Sequence, residues 1–388
     1  MVVCGGEPCG VVEGGGISLL PVLKIMILAL VVAGVTPVVA EARECGESVV
    51  YRSGSEGYHT FRIPAVVKTA EGTLLAFAEG RRDSAGDSGD IDLVVKRSRD
   101  GGCSWGSLAV VADHGADTVG NPSPVVDPRS GDVVLVTCTN GGSASLRQIM
   151  DDELLPGQGR RVWVQRSRDG GTSWSAPREI TSSVKDPGWR WYATGPGHGL
   201  ALRGGRLLVP GNHTGGDTTE SRVHGGHGLI SDDGGLSWRI GYVDSRSGGQ
   251  VKLSESTAAQ LPDGRIYVNA REGGPAPGTR ATSYSSSEGQ SLDRPFRSEP
   301  LLEAPVVQAS VLQAGALVFA GPLGPGRARM TLRASHDLGR TWSSGRTLSS
   351  LPAAYSDLVR LDGSRLGVLY ETGRVSPYET LTFTSVRL

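Results

Sequence analysis

An octapeptide of the form Ser-x-Asp-x-Gly-x-(Ser/Thr)-Trp occurs four times in this chain of 388 residues. The copies run from Ser98 to Trp105, Ser167 to Trp174, Ser231 to Trp238 and Ser335 to Trp342. A degenerate copy, Ser285 to Leu292, lies before the fourth, so successive starts are 69, 64, 54 and 50 residues apart. Each copy reads as a hairpin staple. The aspartate accepts bonds from backbone N–H groups in a tight turn. The glycine takes a positive φ, and the tryptophan packs beneath the turn. A strand-like segment precedes most copies, as in Ile91–Lys96 and Met330–Arg333. Periods of this length suit one four-stranded unit each, so the array reads as an all-β propeller.

Composition agrees with an all-β chain. The 57 glycines fall in short clusters between apolar runs, as tight turns between strands require. The net charge of -1 gives no global field for nucleic acid or an acidic membrane. The five cysteines fit no zinc spacing. Residues 17–40 are almost wholly apolar, with Lys24 the sole charge and Ala40-Glu41-Ala42 behind them. Residues 1–42 therefore read as a signal peptide, with a membrane anchor as the alternative. Residues 43–388 form the expected mature domain, secreted or periplasmic and with no stable membrane partner once cleaved. Asn212-His213-Thr214 is a glycosylation sequon. His224-Gly225-Gly226-His227 reads as loop rather than as a metal site.

In Phe61-Arg62-Ile63-Pro64 a permanent cation sits within an apolar stretch. The proline pushes Ile63 towards an extended conformation, and a buried guanidinium at Arg62 needs an anion. Glu255 to Arg271 contains Pro262-Asp263-Gly264, a turn signal between two alternating runs. That hairpin places Glu255 and Arg271 on adjacent strands. Residues 78–90 are rich in glycine and acid and read as a loop.

The four octapeptides, known as Asp boxes, together with Phe61-Arg62-Ile63-Pro64, resemble the sialidases over residues 48–388. The resemblance implies a six-bladed β-propeller acting on sialylated glycans without a cofactor, and the residues themselves show no evident metal site. A sialic acid carries a carboxylate on its anomeric carbon, and planar guanidinium groups suit that anion. The family's three carboxylate-binding arginines map to Arg62, Arg271 and Arg327, with Arg329 the nearest competitor for the last. Sialidases depart from the usual pair of glycosidase carboxylates by using a tyrosine nucleophile. A phenol stays neutral until a base activates it, which avoids repulsion by the substrate's carboxylate. Tyr355 in Ala354-Tyr355-Ser356-Asp357-Leu358 matches that nucleophile, and Glu255 its base. Asp87 matches the acid/base, in competition with Asp83, Asp90 and Asp92. Glu371 matches the carboxylate that braces the first arginine. Arg81 and Tyr192 match further substrate contacts. A trans-sialidase, an enzyme for a related acid such as Kdn, or a non-catalytic sugar-binding propeller are the rival readings.

Overall fold

A computed structural model describes residues 46–216, 222–245, 251–273 and 278–388. The signal-peptide reading of residues 1–42 lies outside the described residues. Among them, 24 strands and two short helices, Leu146–Asp151 and Thr181–Val184, carry the regular structure. No described helix is long and apolar enough to cross a membrane.

The all-β expectation holds, but six separate four-stranded blades do not appear. The strands pair into four sheets of seven, five, four and eight strands. Two features overturn the six-bladed propeller. Strand Arg346–Arg360 runs 15 residues and pairs with Ala328–Ser335 and then with Arg365–Thr372, fusing both sets into one sheet. A parallel bridge, Ile91↔Thr118, joins two further sets into the eight-stranded sheet. The octapeptides count hairpins and carry no information on where a sheet ends.

As hairpin staples the octapeptides behave as their chemistry requires. All five lie between paired antiparallel strands. In the second copy, Asp169 accepts from Ser167 Oγ at 2.8 Å, Ser173 N at 2.9 Å and Ser173 Oγ at 2.6 Å. Gly102 adopts φ +95° directly over Phe383, where a Cβ would lie 2.1 Å from the ring. The tryptophans pack on buried aromatics, Trp105 on Phe383 and Trp174 on Phe77. Cys103, inside the first copy, is disulfide-bonded, and Cys138 is a buried free thiol.

The core clusters are apolar, and among the buried carboxylates Asp357 collects distant segments. Asp357 is fully buried and accepts from Val66 N at 2.8 Å, His198 N at 2.9 Å, His198 Nδ1 at 2.6 Å and Ser310 Oγ at 2.9 Å. One local expectation fails, and one motif is closed off. His224 to His227 lies within strand Val223–Ser231, and His227 is buried against His213. Asn212 is buried, and its Oδ1 accepts from Trp191 Nε1, so the sequon does not present an accessible acceptor.

Candidate active site

The cluster begins at Arg62 in strand Thr60–Lys68. The register with Leu74–Arg81 slips between Arg62 and Ala65, and Ile63 sits at φ +61°. The extended conformation expected from Pro64 is therefore absent. A β-branched residue in this region is strained. The gain is a hydrogen bond from Ile63 N to Glu371 Oε1 at 3.0 Å. The same carboxylate receives Arg62 Nε at 3.0 Å, Arg62 Nη2 at 3.2 Å and Tyr355 N at 3.1 Å. Glu371 thus ties together the strained strand, the arginine and the strand bearing Tyr355. Burial opposes the charge on Arg62, but Glu371 outweighs it and holds the guanidinium firmly protonated.

Glu255 and Arg271 come from one hairpin, Leu253–Gln260 and Ile266–Glu272, turned by Pro262-Asp263-Gly264. A register shift between Leu253 and Ser256 accompanies Glu255. Arg271 Nη1 lies 3.1 and 3.0 Å from the two Glu255 oxygens and 3.3 Å from the Tyr355 hydroxyl. The Tyr355 hydroxyl donates to Glu255 Oε1 in a short bond. Burial first, and then the charge on Glu255, push the Tyr355 phenol well above its ordinary value, opposed by Arg271 and Arg62. Burial also disfavours charge on Glu255, but Arg271 and the Tyr355 hydrogen bond outweigh it and lower its pKa. The resting pair is therefore a neutral phenol donating to a carboxylate.

Arg327 directly precedes strand Ala328–Ser335, with its guanidinium 5.8 Å from the Tyr355 ring centroid. Arg329, its competitor, is solvent-exposed. Asp87 stands in the loop after Leu74–Arg81, its side chain 80% exposed. Arg81 Nη1 donates to it at 2.8 Å, and Arg62 Nη1 lies 3.7 Å away. Of the competing aspartates, Asp90 pairs with Arg82, and Asp92 is buried against Tyr58 and Arg82. Asp83 is exposed.

Two expected substrate contacts are placed differently. Arg81 is buried, and its donors go to Glu79, to the Ala85 carbonyl and to Asp87. It holds Asp87 beside Arg62. Tyr192 is fully buried between Trp189 and His227 and offers no surface to a sugar. Strand Trp189–Thr194 turns that side chain into the core. Sequence reasoning missed Glu79 and Tyr378. Glu79 lies two residues before Arg81, a spacing that puts both on one face of a strand. Tyr378 has no comparable local signal.

The BNR repeat-like domain family matches residues 72–368. A curated exo-alpha-sialidase of Aspergillus fumigatus is 30% identical over 344 residues, covering 81% of this chain and 79% of the relative. The chain belongs to the sialidase family, whose members are glycoside hydrolases. A sialidase of Bacteroides fragilis is 29% identical over 87% of this chain, which spans 64% of that relative. The solved structure titled "Hadza microbial sialidase Hz136" superposes with a TM-score of 0.78 at 27% identity, covering 88% of this chain and 68% of that one.

Proposed function

We propose that this sialidase is an exo-α-sialidase, releasing terminal sialic acid from glycoproteins, glycolipids or oligosaccharides with retention of configuration. The observation that carries the mechanism is the hydrogen bond from Tyr355 to Glu255, made beside Arg271 and beneath Arg62. Arg62, Arg271 and Arg327 hold the substrate carboxylate. Tyr355 Oη bonds to the anomeric carbon while its proton passes to Glu255. Asp87 gives a proton to the departing glycosidic oxygen. Water then attacks the glycosyl–tyrosine, with Asp87 taking a proton from the water and Glu255 returning one to the phenolate. The two inversions leave the anomeric configuration unchanged. The neutral resting phenol supports this reading, because an ionised carboxylate would approach the substrate's own carboxylate against repulsion.

The apolar run at residues 17–40 supports export to where such glycans are found. A fluorogenic α-sialoside tests the activity, and proton NMR of the first-formed product tests retention. A 3-fluorosialyl fluoride should label the peptide that contains Tyr355. No release from any sialoside would overturn the proposed activity. Release with the β-anomer formed first would overturn the double displacement alone.

A further inference from the structure

Two of the three site arginines are held by carboxylates and the third by a phenol. Glu371 braces Arg62, and Glu255 braces Arg271. Among the described residues no carboxylate pairs with Arg327. Its Nη1 donates instead to the hydroxyl of Tyr378 in a short bond. The Tyr378 ring also lies under Arg62, with the guanidinium carbon 4.2 Å from its centroid. One phenol therefore touches two of the three arginines, by its edge and by its face. Its backbone is fixed from both sides. Ser53 Oγ donates to the Tyr378 carbonyl at 2.7 Å. The preceding turn is closed by the Glu379 carboxylate, which accepts the N–H groups of Arg374, Val375 and Ser376 at 2.8–3.0 Å.

We infer that Tyr378 is a positioning residue for the carboxylate clamp, a role that rests on the reading of Arg62 and Arg327 as substrate-binding groups. A carboxylate at this place would hold Arg327 but cancel its charge. A phenol accepts the same hydrogen bond and leaves the charge for an incoming anion. Its electron-rich face meanwhile steadies Arg62 beside it, so two like charges share one neutral support.

The test uses the full chain, with steady-state kinetics on a fluorogenic sialoside. Calorimetric titration with 2-deoxy-2,3-didehydro-N-acetylneuraminic acid, a carboxylate-bearing analogue, accompanies it. Tyr378→Phe keeps the ring and removes the acceptor. It should raise both KM and the analogue Kd about tenfold, with kcat changing less than about twofold, as for loss of a hydrogen bond to a charged group. In an Arg327→Lys background the same change should add under about twofold, whereas in Arg271→Lys it should multiply in full. Equal multiplication in both backgrounds overturns the inference. So does an unchanged KM, including the case in which kcat and melting temperature fall together through a purely structural loss. An inactive wild type would strike at the proposed activity, whereas an active wild type with an indifferent Tyr378→Phe strikes only here.

Discussion

The octapeptide turns and the arginine cluster both manage charge, over opposite sequence distances. Asp169 is satisfied by Ser167, Thr172 and Ser173, all within four residues of it. The hydroxyl and N–H of Ser173 hold its carboxyl down to about 2 while it remains exposed. Arg62 finds Glu371 at a separation of 309 residues, and Tyr355 finds Glu255 at 100. A local partner costs little chain entropy to recruit, so the turn satisfies itself as it forms. A distant partner exists only once several sheets are in place. Damage to a turn should therefore act on stability, and damage to the cluster should act on function or on both.

The largest effect expected is at the cluster's reacting pair. Tyr355→Phe keeps the ring that packs against Arg62 and removes the oxygen. Sialoside hydrolysis should fall at least about a thousandfold in kcat, as for loss of a nucleophile, with the melting temperature little changed. Near-wild-type turnover would remove Tyr355 from the mechanism and leave the cluster as a binding site.

Glu371→Gln breaks the contrast from its other side, since here function and stability should fail together. Arg62 would be left buried without its anion, at a cost of about 3 kcal/mol or more. The strained Ile63 would also lose the charge on its acceptor. Denaturant unfolding should show the stability loss. Kinetics on protein that remains folded should show a raised KM as Arg62 swings free of Tyr355. A stable variant with normal KM would mean that Arg62 is held in place by ring contacts alone.

The same difference in reach governs what could be read from the sequence. Each octapeptide aspartate finds its hydrogen-bond partners within four residues, so its turn chemistry was legible without a fold. Phe61-Arg62-Ile63-Pro64 marked a buried cation, and the resemblance suggested which distant residues to gather around it. The division into sheets was not legible, because nothing in Arg346–Arg360 announces that one strand serves two pairings. Tyr192 was misplaced because a tyrosine in a strand looks the same whichever face it points from. The pairing of Arg81 with Glu79 and Asp87 was not read, although Glu79 stands two residues before it. Tyr378 escaped notice because Arg327 lies 51 residues away and Arg62 over 300.

Acid titration offers a finer separation of local from long-range charge management. His213 and His227 lie Nδ1 to Nδ1 at 3.0 Å, and Trp189 stacks on His213 at 3.8 Å. Burial lowers His213 to about 3, and burial with the neighbouring His213 lowers His227 as well. In the folded protein both stay neutral at pH values where unfolded histidine, with an ordinary value near 6.5, takes up a proton. Their depressed pKa values give stability that is present above about pH 6.5 and lost as pH falls towards 3. Each contributes a slope of up to about 1.4 kcal/mol per pH unit in that window. Urea unfolding at pH 7 and pH 5 should show the loss, and His213→Phe should reduce it. A flat profile between those values would mean that the pair already shares a proton in the folded state.

The octapeptide carboxylates should titrate only at lower pH, and this is the smallest effect expected. The pKa of Asp169 is depressed from an unfolded value near 3.9 to about 2. Its stabilisation should therefore be complete above pH 4 and disappear as pH falls through 2. Asp169→Ala removes bonds at a solvent-exposed turn and should cost about 1 kcal/mol at neutral pH. KM and kcat should not change, because no site residue leans on that turn. Below about pH 2 the variant and the wild type should converge, since protonation has by then removed from one what mutation removed from the other. A shifted KM in Asp169→Ala would break the comparison. It would show that a turn satisfied by its own neighbours still sets the position of charges that find their partners hundreds of residues away.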